Sequence, residues 1–420
     1  MTGAAPVRSG SARHVLTLLT GTGLAQAIAL AASPLLSRLF APEDFGVFAL
    51  FQSVVAVLAI LATGRYELAV VLPASDDDAW QLLLLALSIA FGTTLLSLAL
   101  VAFAGRWLAA EAGQASLAPW LYLLPLSVAL TALVNTLGCW ANRRRQYAQL
   151  AGNRVVQSAG GTAATLGLGA AGWAAPGLLL GGAIGQGIAA ALLAWQARGD
   201  RRPLHRRRLL ALARGYRNFP RLNLPHALLD ALQASALLAV LGVAFGSQVL
   251  GWYAFALRIA RTPLAMLGAS VGQVFQQRAA QVWNEGGDLA ALARRTTAKL
   301  ALIAAPFAVL LLFAPPLFAW AFGADWREAG VQARILAPWM LLNFLTSPLS
   351  QLPLVVGRQG QALGFGIAYQ VSMLLPCALA WAWRWDIGTA LSWQSGASSA
   401  VLLAYGAWLQ RLAGIRRAAA

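Results

Sequence analysis

Two arginines three positions apart, Arg258 and Arg261, sit about ten residues into an otherwise apolar run over 248–277. A charge at the centre of a bilayer costs about 2.5–3.5 kcal/mol on insertion scales, so it faces a polar cavity or a partner. On an α-helix the spacing puts both guanidiniums on one face. So placed, they make a receptor for a diphosphate or an acidic sugar, whose oxygens guanidinium grips bidentately. The competing roles are an ion pair with Asp230 or snorkelling to an interface. Asp230 is the one acid well inside a span, and His226 stands one helical turn before it. This pair reads either as a titratable or cation-binding site coupled to a proton or sodium gradient, or as a counter-ion for Arg258 or Arg261. Arg65-Tyr66-Glu67 interrupts the run 45–72 and forms either a basic gate, with Glu67 offsetting one charge, or an inside-positive anchor. Arg38, at the outer end of the first span, is placed as an exit-side ligand or a cap.

Other chemistries find little support. Cys139 and Cys377 lie far apart, and His14, His205 and His226 are scattered, so neither a disulfide framework nor a metal site can be assembled. No HExxH, CxxC, GxxxxGK(S/T) or GxSxG pattern occurs, which argues against zinc chemistry, hydrolysis and ATP use; no cofactor and no metal are expected. Gly167-Leu168-Gly169-Ala170-Ala171-Gly172 matches GxGxxG formally but lacks a preceding strand. With Gly181-x3-Gly185 it reads as a helix-packing face.

The elements that position these residues follow from composition. Of 420 residues, 59% are hydrophobic and 11% charged, with a mean hydropathy of +0.66. A soluble chain carries about 25% charged residues, so this one cannot cover a watery surface. The expected fold is an all-α polytopic membrane protein with about twelve spans. The apolar runs lie at 14–37, 45–72, 79–104, 117–141, 153–172, 176–197, 223–245, 248–277, 297–322, 331–356, 361–383 and 387–410. The net charge of +17 is almost all arginine, and the clusters fall between spans. Anionic lipid headgroups and topology explain this balance, and no nucleic-acid partner is expected. With the N-terminus inside, only Arg38, Arg106, Arg327, Arg334 and Arg384 face outward, which puts both termini in the cytoplasm. The basic segment 198–222 divides the chain into six-span lobes over 1–197 and 223–420. Even-numbered halves imply a parallel repeat about an axis along the membrane normal, a parallel pseudo-two-fold. Phe40-x5-Gly46-x-Phe48-Ala49 recurs as Phe245-x5-Gly251-x-Tyr253-Ala254, and Arg145-Gln146 as Arg358-Gln359.

Leu35-Leu36-Ser37-Arg38-Leu39-Phe40-Ala41-Pro42-Glu43-Asp44-Phe45-Gly46 resembles the opening signature of bacterial polysaccharide-transport-type flippases. These belong to the multidrug/oligosaccharidyl-lipid/polysaccharide exporter superfamily. Arg65 through Pro73, and Gly251-Trp252-Tyr253-Ala254-Phe255-Ala256-Leu257-Arg258 through Pro263, are similar to further family patterns. The resemblance runs to about residue 280, and the chain has fewer C-terminal spans than many relatives. It implies two six-helix lobes around a central cavity lined by spans one, two, seven and eight. The implied activity is alternating-access transfer of an undecaprenyl-diphosphate-linked oligosaccharide from the cytoplasmic to the periplasmic leaflet of the inner membrane. Such transfer would serve O-antigen, capsule or exopolysaccharide synthesis, with a polysaccharide polymerase and a chain-length regulator as partners. Arg38, Arg65, Glu67, Arg258 and Arg261 are then the cavity candidates, with Asp230 and His226 for coupling. The alternatives are a drug or cation exporter of the same superfamily and a membrane glycan polymerase or ligase. An exporter favours acidic cavities, whereas an enzyme needs a larger outward loop than the one around Gly105–Ser116.

Overall fold

The computed structural model describes residues 9–111 and 115–415. Arg8, Arg416 and Arg417, which carry part of the inside-positive bias, and residues 112–114 of the expected outward loop lie outside them. Among the described residues there is no strand. The helices are α1 (Ser9–Ala31), α2 (Ser33–Leu39), α3 (Pro42–Ala62), α4 (Asp76–Glu111), α5 (Leu123–Arg143), α6 (Tyr147–Ala170), α7 (Ala175–Gln196) and α8 (Arg206–Gly215). They continue as α9 (Leu224–Ala256), α10 (Thr262–Asn284), α11 (Leu289–Leu312), α12 (Ala314–Phe322), α13 (Arg327–Thr346), α14 (Leu352–Val356), α15 (Gln359–Trp383) and α16 (Ile387–Ala413).

Each of the twelve expected apolar runs falls on a helix or a pair of them. By length and hydropathy alone, however, seven described helices are fit to cross a membrane, or eight if the bent pair Ala324–Thr346 and Pro348–Val356 counts as one. Neither α1 nor α16 is among them, and two physical facts account for another part of the difference. The run Phe219–Asn284 counts once although it has 66 residues; at 1.5 Å per residue it far exceeds a hydrocarbon core of about 30 Å. Gly246, at φ 84° and ψ 169°, breaks it inside α9. Helix α6 is too polar and too rich in small residues to pass, carrying Asn153, Arg154 and Gln157. It instead packs closely on α7: a Cβ on Gly185 would stand 2.8 Å from the Gln157 carbonyl oxygen and from the Gly161 Cα. Gly181 and Gly185 thus form a small-residue packing face as their spacing predicted, but against Gln157, Gly161 and Thr165 and not against Gly167–Gly172, of which Gly167 and Gly172 meet open space.

The chain forms two compact units, cut differently from the three segments expected. The first runs through Phe40 and then from Val47 to Ser235; the second holds Ala41–Gly46 and everything from Ala236. The basic segment therefore belongs to the first unit instead of standing apart. Leu212, Tyr216 and Phe219 pack on a core of Tyr66, Leu83, Leu137, Trp140 and Leu193. Trp80 and Trp140 meet edge-on at its centre, 4.9 Å between centroids.

In the second unit, Phe45 stands edge-on to Phe255 at 5.3 Å and to Trp326 at 5.1 Å, with Phe322 5.0 Å from Phe255. Ala41–Gly46 belongs here because its backbone lies against 247–251. A Cβ on Gly46 would fall 1.8 Å from the Ser247 carbonyl oxygen, and one on Gly251 would fall 1.7 Å from that of Pro42. The contact is reciprocal, so the two copies of the recurring Gly-x-aromatic-Ala pattern pack on one another through their glycines.

Candidate functional site

Arg65 and Glu67 are presented by a break in the helical chain. Helix α3 ends at Ala62, and Gly64 (φ 57°) and Arg65 (φ 63°) both adopt the left-handed conformation. A 3-10 turn then covers Tyr66–Val71. Arg65 Nε donates to Asn223 Oδ1 at 2.9 Å, and its Nη1 lies 3.5 Å from Glu67 Oε1. Glu67 is only 5% exposed, and its Oε2 has no hydrogen-bond partner. A buried carboxylate oxygen without a donor carries its full desolvation cost, and such groups concentrate where a side chain acts. Tyr66, between the two charges, donates its hydroxyl to the Ala213 carbonyl at 2.9 Å, which ties this turn to α8.

Arg258 and Arg261 lie in a π-helical turn, Leu257–Arg261, between α9 and α10. Single π turns inside helices recur at functional sites. The wider turn carries residues three apart further round the axis than α-helical spacing does, and the two side chains meet different surroundings. Arg258 is half-buried, whereas Arg261 is exposed. The Arg261 guanidinium stands over the Trp339 ring, 5.3 Å from its centroid, a cation–π contact.

The remaining candidates are on the surface of their unit. His226 Nε2 and Asp230 Oδ2 are 3.9 Å apart, one turn along α9 as the spacing predicts. Both are mostly exposed, at 77% and 65% of the side chain. Arg38 is exposed in the last turn of α2, where a cation offsets the carbonyl end of a helix. Arg65, Glu67, Asp230, His226 and Arg38 lie in the first unit, Arg258 and Arg261 in the second.

A third group of charges is formed by Asp76-Asp77-Asp78, which precede the apolar stretch of α4. Arg143 Nη2 stands 2.9 Å from Asp76 Oδ1 and Arg144 Nη1 3.1 Å from Asp76 Oδ2. Arg202 pairs with Asp77, and Arg208 with Asp78. Arg143 also donates to the Pro73 carbonyl at 2.7 Å. The bond from Arg143 holds the Asp76 carboxyl below the usual carboxylate range, and the bond from Arg208 does the same for Asp78. Sequence spacing gave no sign of these partners or of Asn223, which lie 67 to 158 positions away. The one available signal was complementarity between an acidic triplet and a basic segment.

The pattern of the family described as polysaccharide biosynthesis protein matches residues 35–331, well over half the chain. No curated protein matches. Among solved structures, the chain is similar to the lipid II flippase MurJ in an inward closed conformation, with a TM-score of 0.68 at 11% identity. That likeness covers 94% of this chain and 86% of the other. An inward-facing multidrug resistance MATE family transporter of the MOP superfamily gives a TM-score of 0.62 at 16% identity over 94% of each chain. A MOP superfamily transporter from Pyrococcus furiosus, described as having a binding pocket of reverse polarity, gives 0.51 at 14%, covering 96% of this chain and 95% of that one. At these identities the likeness establishes the fold. A polytopic helical membrane chain with that fold and that pattern belongs to the polysaccharide biosynthesis protein family.

Proposed function

We propose that this protein is a flippase that carries an undecaprenyl-diphosphate-linked oligosaccharide from the cytoplasmic to the periplasmic leaflet by alternating access. The observation that carries the reading is the sign of the charge set into its helices. Arg65, Arg258 and Arg261 interrupt or adjoin apolar segments, and the buried carboxylate of Glu67 already lies against Arg65. Cationic groups so placed suit a cargo with a diphosphate, which guanidinium binds through paired hydrogen bonds. An exporter of cationic drugs would favour the opposite sign. The MurJ likeness supports the reading through fold alone, and the family pattern supports a place in polysaccharide synthesis.

In this reading the protein sits in the bacterial inner membrane with both termini cytoplasmic and uses no cofactor. The His226–Asp230 pair takes up the coupling proton or sodium ion, and anionic lipids, a polymerase and a chain-length regulator are its neighbours. Cells lacking the protein should trap lipid-linked oligosaccharide on the cytoplasmic leaflet, and restoring the gene should release it. Arg258→Ala with Arg261→Ala should leave the protein inserted at normal abundance and fail to release it. Unchanged sidedness in the deletion strain, or wild-type transfer by the well-inserted double variant, would overturn the reading.

A further inference from the structure

We infer that the Arg143-Arg144-Arg145 corner of the first unit is a binding site for a phosphate-type oxyanion, separate from the residues assigned to the cargo. A cavity of about 330 Å³ opens between the start of α4 and the α5–α6 turn, lined by Val71, Asp76, Arg143, Arg144 and Arg145. Three guanidiniums face one carboxylate there. Asp76 occupies Arg143 and Arg144, and Asp200 takes a further contact from Arg144 at 3.4 Å. The guanidinium of Arg145 is exposed and has no partner among the described residues. The cavity therefore sets two guanidiniums, largely occupied by carboxylates and carbonyls, beside one free cation. A pocket with an excess of positive charge and one unengaged planar donor group suits a multiply charged oxyanion.

The backbone gives an independent argument. Arg145 adopts φ 57°, a left-handed conformation that disfavours any side chain and that glycine takes freely. The turn that opens α15 has the same requirement and fills it with Gly357, at φ 77°. The Arg145-Gln146 and Arg358-Gln359 repeat in the sequence is thus shifted by one position in the structure: Arg145 corresponds to Gly357 and Gln146 to Arg358. Glycine meets the requirement at position 357, whereas arginine holds such a backbone state at Arg65, Arg145 and Arg384. Retaining arginine in such a backbone state is accounted for when its guanidinium is used.

The ligand chemistry is a phosphate dianion or diphosphate, whether free in solution or on the headgroup of an anionic lipid. The test uses the full-length protein in nanodiscs of phosphatidylcholine, titrated with inorganic pyrophosphate, and in nanodiscs containing phosphatidylglycerol. Arg145→Gly removes the guanidinium while suiting the backbone, so the variant should melt no lower than wild type. If the ligand is soluble, Arg145→Gly should bind pyrophosphate about 10- to 100-fold more weakly, the loss of one charge-assisted contact. If it is a headgroup, pyrophosphate should bind both proteins alike, whereas phosphatidylglycerol should raise the wild-type Tm and not that of the variant. Equal responses of the two proteins to both probes would overturn the inference. A variant that melts well below wild type would also overturn it, because Arg145 would then be a structural tie.

Discussion

Glu67 is the group whose environment is least balanced, and removing its partner gives a prediction with a calculable size. Arg65 Nη1 stands 3.5 Å from Glu67 Oε1, with the Glu67 side chain 6% exposed and that of Arg65 25%. Unit charges at that separation attract by about 5 kcal/mol at an effective dielectric of about 20. Partial exposure of Arg65 and the long contact reduce the net share to about 2–3 kcal/mol. Arg65→Ala should therefore destabilise the protein by about that much, because it leaves a buried carboxylate uncompensated. Alanine meets the same left-handed backbone demand as arginine, so that cost cancels. Glu67→Gln keeps an acceptor for Arg65 and removes the charge, and should cost about 1 kcal/mol or less. In the Arg65→Ala/Glu67→Gln double variant no buried charge remains, and most of the loss should return. The assay is denaturation of the purified protein in mixed micelles, read as a double-mutant cycle. A coupling below about 0.5 kcal/mol, the level at which independent sites add, would refute the claim that the charges act as a pair.

Three further outcomes follow from the geometry. Gly251→Ala would place a methyl 1.7 Å from the Pro42 carbonyl oxygen. It should cost about 3 kcal/mol or more, whereas Gly167→Ala, which meets open space, should be neutral or stabilise by about 0.5–1 kcal/mol; thermal denaturation of the two compares them. The carboxyls of Asp76 and Asp78 are held below their ordinary value by Arg143 and Arg208. Their contribution is full above the unfolded-state carboxylate pKa of about 3.9 and is lost as pH falls through the lower folded values, so Tm should drop below about pH 4. Asp76→Asn with Asp78→Asn should flatten that drop, and an unaltered acid limb would show that the salt bridges carry no stability. Asp230→Asn should abolish gradient-dependent transfer and leave cargo binding intact; retained gradient dependence would remove the coupling assignment.

Much of the fold is legible in one dimension because the bilayer imposes a one-dimensional rule: an apolar run of about 20 residues needs a helix. Every run from 14–37 to 387–410 falls mainly on helical chain for that reason, with the run 45–72 broken at Gly64-Arg65. Contacts that depend on a fixed local period are legible too, as the His226–Asp230 turn and the Gly181–Gly185 face illustrate. The unit boundaries were not, because they are set by long-range packing. Ala41–Gly46 joins the second unit through backbone contact at Gly251, and the basic segment is held by Tyr66, Trp140 and the acidic triplet. The π turn at Leu257–Arg261 was also hidden, since nothing in its composition separates it from an α-helix. The face expected of Arg258 and Arg261 rested on the α period and changed with it.

The charges fall into two kinds, and the contrast bears on which of them act. Asp76 is satisfied twice over, by Arg143 and Arg144, with the Pro73 carbonyl capping the remaining arginine nitrogen. An arrangement so complete holds a corner of the structure in place, and charge and geometry explain all of it. Glu67 is the reverse case: more deeply buried than Asp76, it has a single long contact and an oxygen with no donor. Packing gives no reason to keep a carboxylate there, since glutamine or leucine would fill the space at lower cost. The same logic separates Arg145 from Gly357, two residues in one backbone state of which only the glycine is explained by the turn. Stability thus accounts for the acidic triplet, for the paired glycines and, through Asn223 and Glu67, for Arg65, and it fails at Glu67 and Arg145. A residue that stability does not explain is where selection for activity has the most room, which is why the first variants to make are at those two positions.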